Sequence, residues 1–113
     1  MPVFANFVLI RGDNPLVIGS TAVELPFNTG GRDAGHTALL IFNVRRLDSI
    51  VPVKVNNVTV GSLFRQPLSS FATQMVALQG TSLKDGTNEL QLEGAGNEAF
   101  EIKDVSCFFG QSA

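Results

Sequence analysis

Leu83-Lys84-Asp85-Gly86-Thr87-Asn88-Glu89-Leu90-Gln91-Leu92 sets a turn directly before an alternating strand. Lys84 to Asn88 carries the turn chemistry, and strict alternation then places Leu90 and Leu92 on one face and Glu89, Gln91 and Glu93 on the other. A second strand, Phe100 to Phe109, follows. In it Phe100 and Ile102 share one parity, and Val105, Cys107 and Phe109 share the other. The switch at Lys103-Asp104 predicts a bulge, or a strand passing between two environments.

Working back from this end, short apolar runs rich in Val, Ile, Thr and Phe alternate with turn residues, the pattern of an all-β fold. Val3–Ile10 reads as a first strand, closed by Arg11-Gly12-Asp13-Asn14-Pro15; Leu16–Ile18 and Thr21–Leu25 are short strands. Residues Asn28 to Gly35 form a Gly-rich loop, and Thr37–Arg45 is a long strand. Val51–Val55 and Val58–Val60 flank Asn56-Asn57, a pair that tolerates the positive φ of a two-residue hairpin turn. Gly61–Gln66 reads as connection and Phe71–Gln79 as a strand ended by Gly80. The expectation is a two-sheet antiparallel β-sandwich, jelly-roll-like, of eight or nine strands in one domain spanning residues 1–113.

With 113 residues, a chain of this kind buries about two-thirds of its unfolded surface and needs neither disulfide nor metal to fold. Charged residues make up 16%, well under the usual ~25%, so either one face is covered in an oligomer or against another protein, or Gly, Ser, Thr and Asn supply the polar surface. Ala38-Leu39-Leu40-Ile41-Phe42, apolar at every position, predicts burial on both faces of its strand. A net charge of −2 argues against nucleic acid as a partner, which selects a basic stripe. No apolar run reaches the ~18 residues of a membrane span. Val3–Ile10 lacks the features of a signal peptide, and the single cysteine allows no internal disulfide; both favour a cytoplasmic origin, with export by another route left open.

The pattern Leu83, Gly86, Asn88, Leu90, Leu92, followed by Phe100, Ile102, Asp104 and Val105, resembles the end of galactose-binding-like jelly rolls, the fold of many non-catalytic carbohydrate-binding modules. The hairpin Val53 to Gly61 is similar to one seen in the same folds. The resemblance covers the C-terminal half, and it implies a fold more than a ligand. Such modules usually stack sugars on Trp or Tyr; this chain has neither, and its aromatics are nine Phe. Some members hold a structural Ca²⁺ through an acidic residue on the last strand, a position that Asp104 matches.

The chemistry-bearing residues are few. His36 is the single histidine, and a general base needs a positioned partner that sequence does not show. Cys107, inside a Phe-rich strand, reads as a small hydrophobe rather than a nucleophile. One Cys and one His cannot make a zinc site. Gly30-Gly31-Arg32-Asp33-Ala34-Gly35 lacks the Lys-Ser/Thr of a phosphate loop and leads into a strand. It reads instead as a flexible loop able to shape a ligand rim, or as an ordinary connection between the two sheets. Arg11-Gly12-Asp13 reads as a turn, and the glycosylation sequon at Asn57 reads as chance.

The expected function is a non-catalytic, carbohydrate-binding-like module acting as a homo-oligomer. Asn28, Arg32, Asp33 and His36 would bind hydroxyls of a glycan, Phe27 would stack on it, and no cofactor is expected. The alternative is a structural or assembly protein, such as a decoration domain of a virion or injection machine; low charge and the doubly apolar strand fit it equally.

Overall fold

A computed structural model describes residues 3–96 and 98–112. The elements are β1 (Val3–Arg11), β2 (Leu16–Ile18), β3 (Val23–Asn28), β4 (Ala38–Arg45), β5 (Val51–Val55), β6 (Val58–Leu63), β7 (Ala72–Leu78), β8 (Thr87–Leu92) and β9 (Phe100–Ser112). Among the described residues a single 3₁₀ turn, Gly80–Ser82, interrupts them. One sheet runs β1-β9-β4-β7, with β2 also pairing β9; the other runs β3-β8-β5-β6. All pairings are antiparallel, so the fold is the two-sheet β-sandwich expected from the alternation. Among the described residues no helix is long and apolar enough to cross a membrane.

The core lies between the sheets. Phe42, Phe100, Leu40, Val44, Ile18, Ile102, Val105 and Cys107 from the first sheet meet Leu90, Leu92, Val51, Val53, Val55 and Leu63 from the second. Leu90 and Leu92 point inward while Glu89 and Gln91 are half-exposed and Glu93 is exposed, as their parity requires. Asn56 and Asn57 take φ of 53° and 68°, so the hairpin closes on two left-handed residues.

The parity switch in β9 is a bulge. Ile41 faces Ser106 but Asn43 faces Lys103, so Asp104 and Val105 together oppose Phe42. Asp104 takes up the extra residue at φ 47°, and its N–H donates to the Gly12 carbonyl at 2.8 Å. Asp is among the residues that tolerate this conformation. The bulge keeps Phe100 and Ile102 before it, and Val105, Cys107 and Phe109 after it, all facing the core.

Three expectations are corrected. Strand β3 lies later than Thr21–Leu25 and includes Pro26 and Phe27, because β3 is an edge strand pairing only with β8, where a residue lacking an N–H is tolerated. Strand β6 continues through Gly61 to Leu63; a Cβ at Gly61 would sit 2.5 Å from Val76 Cγ1, so this close approach of β6 to β7 needs glycine. Within the chain β4 is buried on one face only: Ala38, Leu40, Phe42 and Val44 are enclosed, whereas Leu39 is 37% exposed and Ile41 is half-buried.

Candidate functional site

The Gly-rich segment after β3 crosses one end of the sandwich and is fastened on three sides. Asn28 Oδ1 accepts the Gly30 N–H at 2.8 Å, forming a local turn. The turn before β8 holds the middle: Gly31 N–H donates to Asp85 Oδ1 at 2.7 Å, and Arg32 Nε donates to the Leu83 carbonyl at 2.7 Å. The end of β9 holds the other flank. Gln111 Nε2 donates to the Gly30 carbonyl, Ser112 N–H to the Gly31 carbonyl, and Asp33 N–H to the Gly110 carbonyl, all within 2.9 Å. A Cβ on Gly80 would lie 2.5–2.8 Å from the carbonyl oxygens of His36, Asp33 and Ala34, so the 3₁₀ turn presses its backbone directly against the loop. The loop is therefore a fixed ledge, not the flexible rim its glycines suggest.

Asp33 is the centre of that ledge. Its Oδ1 accepts the Gly35 N–H at 2.8 Å and lies 3.3 Å from His36 Nδ1; Oδ2 accepts from Ser112 Oγ at 3.5 Å. The Gly35 N–H and then the His36 ring hold its carboxyl below the usual carboxylate range. Asp33 fixes the imidazole through Nδ1, which aims Nε2 away from the loop. The His36 side chain is 54% exposed. It stands between two hollows. One, of ≈ 270 Å³, is lined by Ala34, Gly35, Thr37, Gln79, Gly80 and Thr81; the other, of ≈ 330 Å³, by Ala5, Thr37, Leu39, Phe108, Phe109 and Gly110. The first offers hydroxyl and amide groups, the second an apolar floor.

Of the residues expected to bind a ligand, the structure brings Asp33 and His36 together and sets Arg32 and Asn28 to work on the loop itself. Phe27 is corrected: it is 4% exposed and part of the core, so it has no face to offer a sugar. Thr37, Gln79, Thr81 and Phe108 were missed. The parity of β9 carried a signal for Phe108, which alternates against buried Cys107 and Phe109 and so points outward.

The Ser112 hydroxyl lies on the Asp33 side of the pair, so these three residues do not form a Ser–His–Asp relay. Cys107 is fully buried, and burial pushes its thiol up to about 12, far from a thiolate. At Asp104, the position the resemblance suggests for calcium, the carboxylate lies 4.0 Å from the Lys103 ammonium, and among the described residues no three His, Cys, Asp or Glu side chains gather.

No family model and no curated protein matches this chain. Solved structures do. The CBM36-1 domain of a multidomain xylanase from the hindgut metagenome of Trinervitermes trinervoides superposes with a TM-score of 0.63 at 12% identity, over 97% of this chain and 100% of that one. A family 35 carbohydrate binding module from Clostridium thermocellum gives 0.60 at 11%, over 92% and 98%. BuGH86wt, solved in complex with neoagarooctaose, gives 0.68 at 18%, over 96% of this chain but 19% of its own. The chain thus spans about a fifth of that longer protein and the full length of the two modules. At these identities the likeness is one of fold: a two-sheet β-sandwich shared with the two carbohydrate-binding modules.

Proposed function

We propose that this domain is a non-catalytic module that binds a glycan at the His36 ledge and acts in more than one copy. The observation that carries the reading is the placement of His36. Asp33 holds the ring at the edge of a polar hollow, which suits sugar hydroxyls. Thr37, Thr81 and Gln79 supply hydroxyl and amide groups there. The hollow is shallow, so a single site is weak, and repeated copies raise avidity without new contacts. The full-length likeness to two carbohydrate-binding modules supports the same reading.

The test is an amide chemical-shift titration with xylo-, manno- and neoagaro-oligosaccharides, the first and last chosen from what the structural neighbours act on or hold. Shifts are expected at Gly35, His36, Thr37 and Gln79–Thr81. His36→Ala should weaken binding about five- to a hundredfold, the consequence of losing one hydrogen-bonding partner in a partly enclosed site. Shifts confined to the outer face of the second sheet, around Lys54, Asn57 and Gln91, would move the site there. A folded protein that binds none of these sugars, nor any on a broad array, would favour the structural or assembly reading.

A further inference from the structure

The outward face of the first sheet is apolar across four strands. Two registered rows cross it: Phe7 (β1), Phe108 (β9), Leu39 (β4), Ala77 (β7), and beside it Leu9, Ser106, Ile41, Met75. Neither row holds a charge. Phe7, Leu9 and Met75 are 59%, 59% and 65% exposed, Phe108 and Leu39 about two-fifths. Side chains of this size carry about 150–250 Å² each. The five therefore expose roughly 500 Å², near the upper end for the largest patch on a monomer and about the apolar centre of an ~800 Å² half-interface.

The Phe7 and Phe108 rings stack on each other, 5.4 Å between centroids and 26° between planes.

The rows also complement themselves. A two-fold axis parallel to the strands and lying in the interface reverses strand order, setting β1 over β7 and β9 over β4 of a second copy. Large Phe7 then meets small Ala77, small Ser106 meets Ile41, Phe108 meets Leu39, and Leu9 meets Met75. Uncharged rows let identical faces approach without like-charge repulsion, as an isologous interface requires.

We infer that the domain forms a two-fold dimer through this face, with Leu9 of each copy against Met75 of the other. This identifies the surface behind the multiple copies invoked above, but it stands on the sheet face and not on the glycan ledge.

Leu9→Lys and Met75→Glu test it, since both sites are exposed and the monomer should fold in either variant. Sedimentation at ~100 µM should give twice the 12.1 kDa chain mass for the parent protein and the chain mass for each variant. An equimolar mixture of the two should regain the dimer, because one seam then pairs Lys with Glu and the other keeps Leu9 against Met75. His36→Ala should remain dimeric while binding glycan about five- to a hundredfold more weakly, which separates failure of this inference from failure of the ledge. A monomeric parent protein, dimeric single variants, or a mixture that stays monomeric would each overturn the proposal and leave the face to a different partner.

Discussion

The side-chain nitrogen of Asn88 lies 2.8 Å from the Thr29 hydroxyl, and both side chains are fully buried. The hydroxyl in turn donates a hydrogen bond to the Lys84 carbonyl at 2.7 Å. Asn88 Oδ1 accepts from the Lys84 N–H at 2.7 Å and from Asn56 Nδ2 at 3.0 Å. One amide thus ties the turn before β8, the end of β3 and the β5–β6 hairpin together, and among the described residues no buried side-chain polar atom lacks a partner.

Asn88→Ala should therefore cost ~2–4 kcal/mol, because it strands a buried donor and a buried hydroxyl whose partners cannot reach water. Urea unfolding measures this. A loss under ~0.5 kcal/mol would show that the network carries little of the stability.

Phe100 is 1% exposed beneath β2 and β4. Phe100→Ala should cost about 3–5 kcal/mol by lost transfer and residual cavity. The same unfolding experiment checks it, and a change below ~1 kcal/mol would place the ring outside the core.

Acid should destabilise the protein through two carboxylates. Arg45 grips Glu101 with two N–H groups, at 2.8 and 3.2 Å, and holds its carboxyl below the usual range; Asp33 is held down by the Gly35 N–H and His36. A carboxyl whose pKa is depressed on folding contributes stability that is present above its unfolded pKa and lost as pH falls through its folded pKa. The melting temperature should thus decline as pH drops below about 4. Glu101→Gln should flatten that decline, and an unaltered slope would assign it to other groups.

Gly80→Ala should push the ledge away from the 3₁₀ turn, because a methyl group there meets three backbone carbonyls that cannot rotate aside. Amide exchange at Gly35 and His36 should accelerate while that of β4 and β9 stays slow. Unchanged exchange in the loop would mean that its other fastenings suffice.

Strand positions were legible because alternation is a local signal, and the Asn56-Asn57 hairpin because its conformation belongs to those two side chains. The Asp104 bulge showed itself as a break in parity. Phe27 was misread because Pro26 looks like a strand terminator until β3 is known to be an edge. The Asn88 network was hidden because its partners lie 59 and 32 residues away in sequence. The polar wall of the ledge was missed for the same reason: Gln79 and Thr81 become neighbours of His36 only once Gly80 docks against the loop.

Strand β9 has a consequence for the order in which the molecule can be made. Its 13 residues lie between β1 and β4 and also seat β2, so β1, β2 and β4, all earlier in sequence, lack this shared neighbour until β9 joins the sheet. Until then Ile18, Leu40 and Phe42 lack their lid. The β5–β6 hairpin can form early from local pairing, but closure of the first sheet waits on contacts distant in sequence, which fold slowly. Until β9 pairs, the first sheet stays open along its middle.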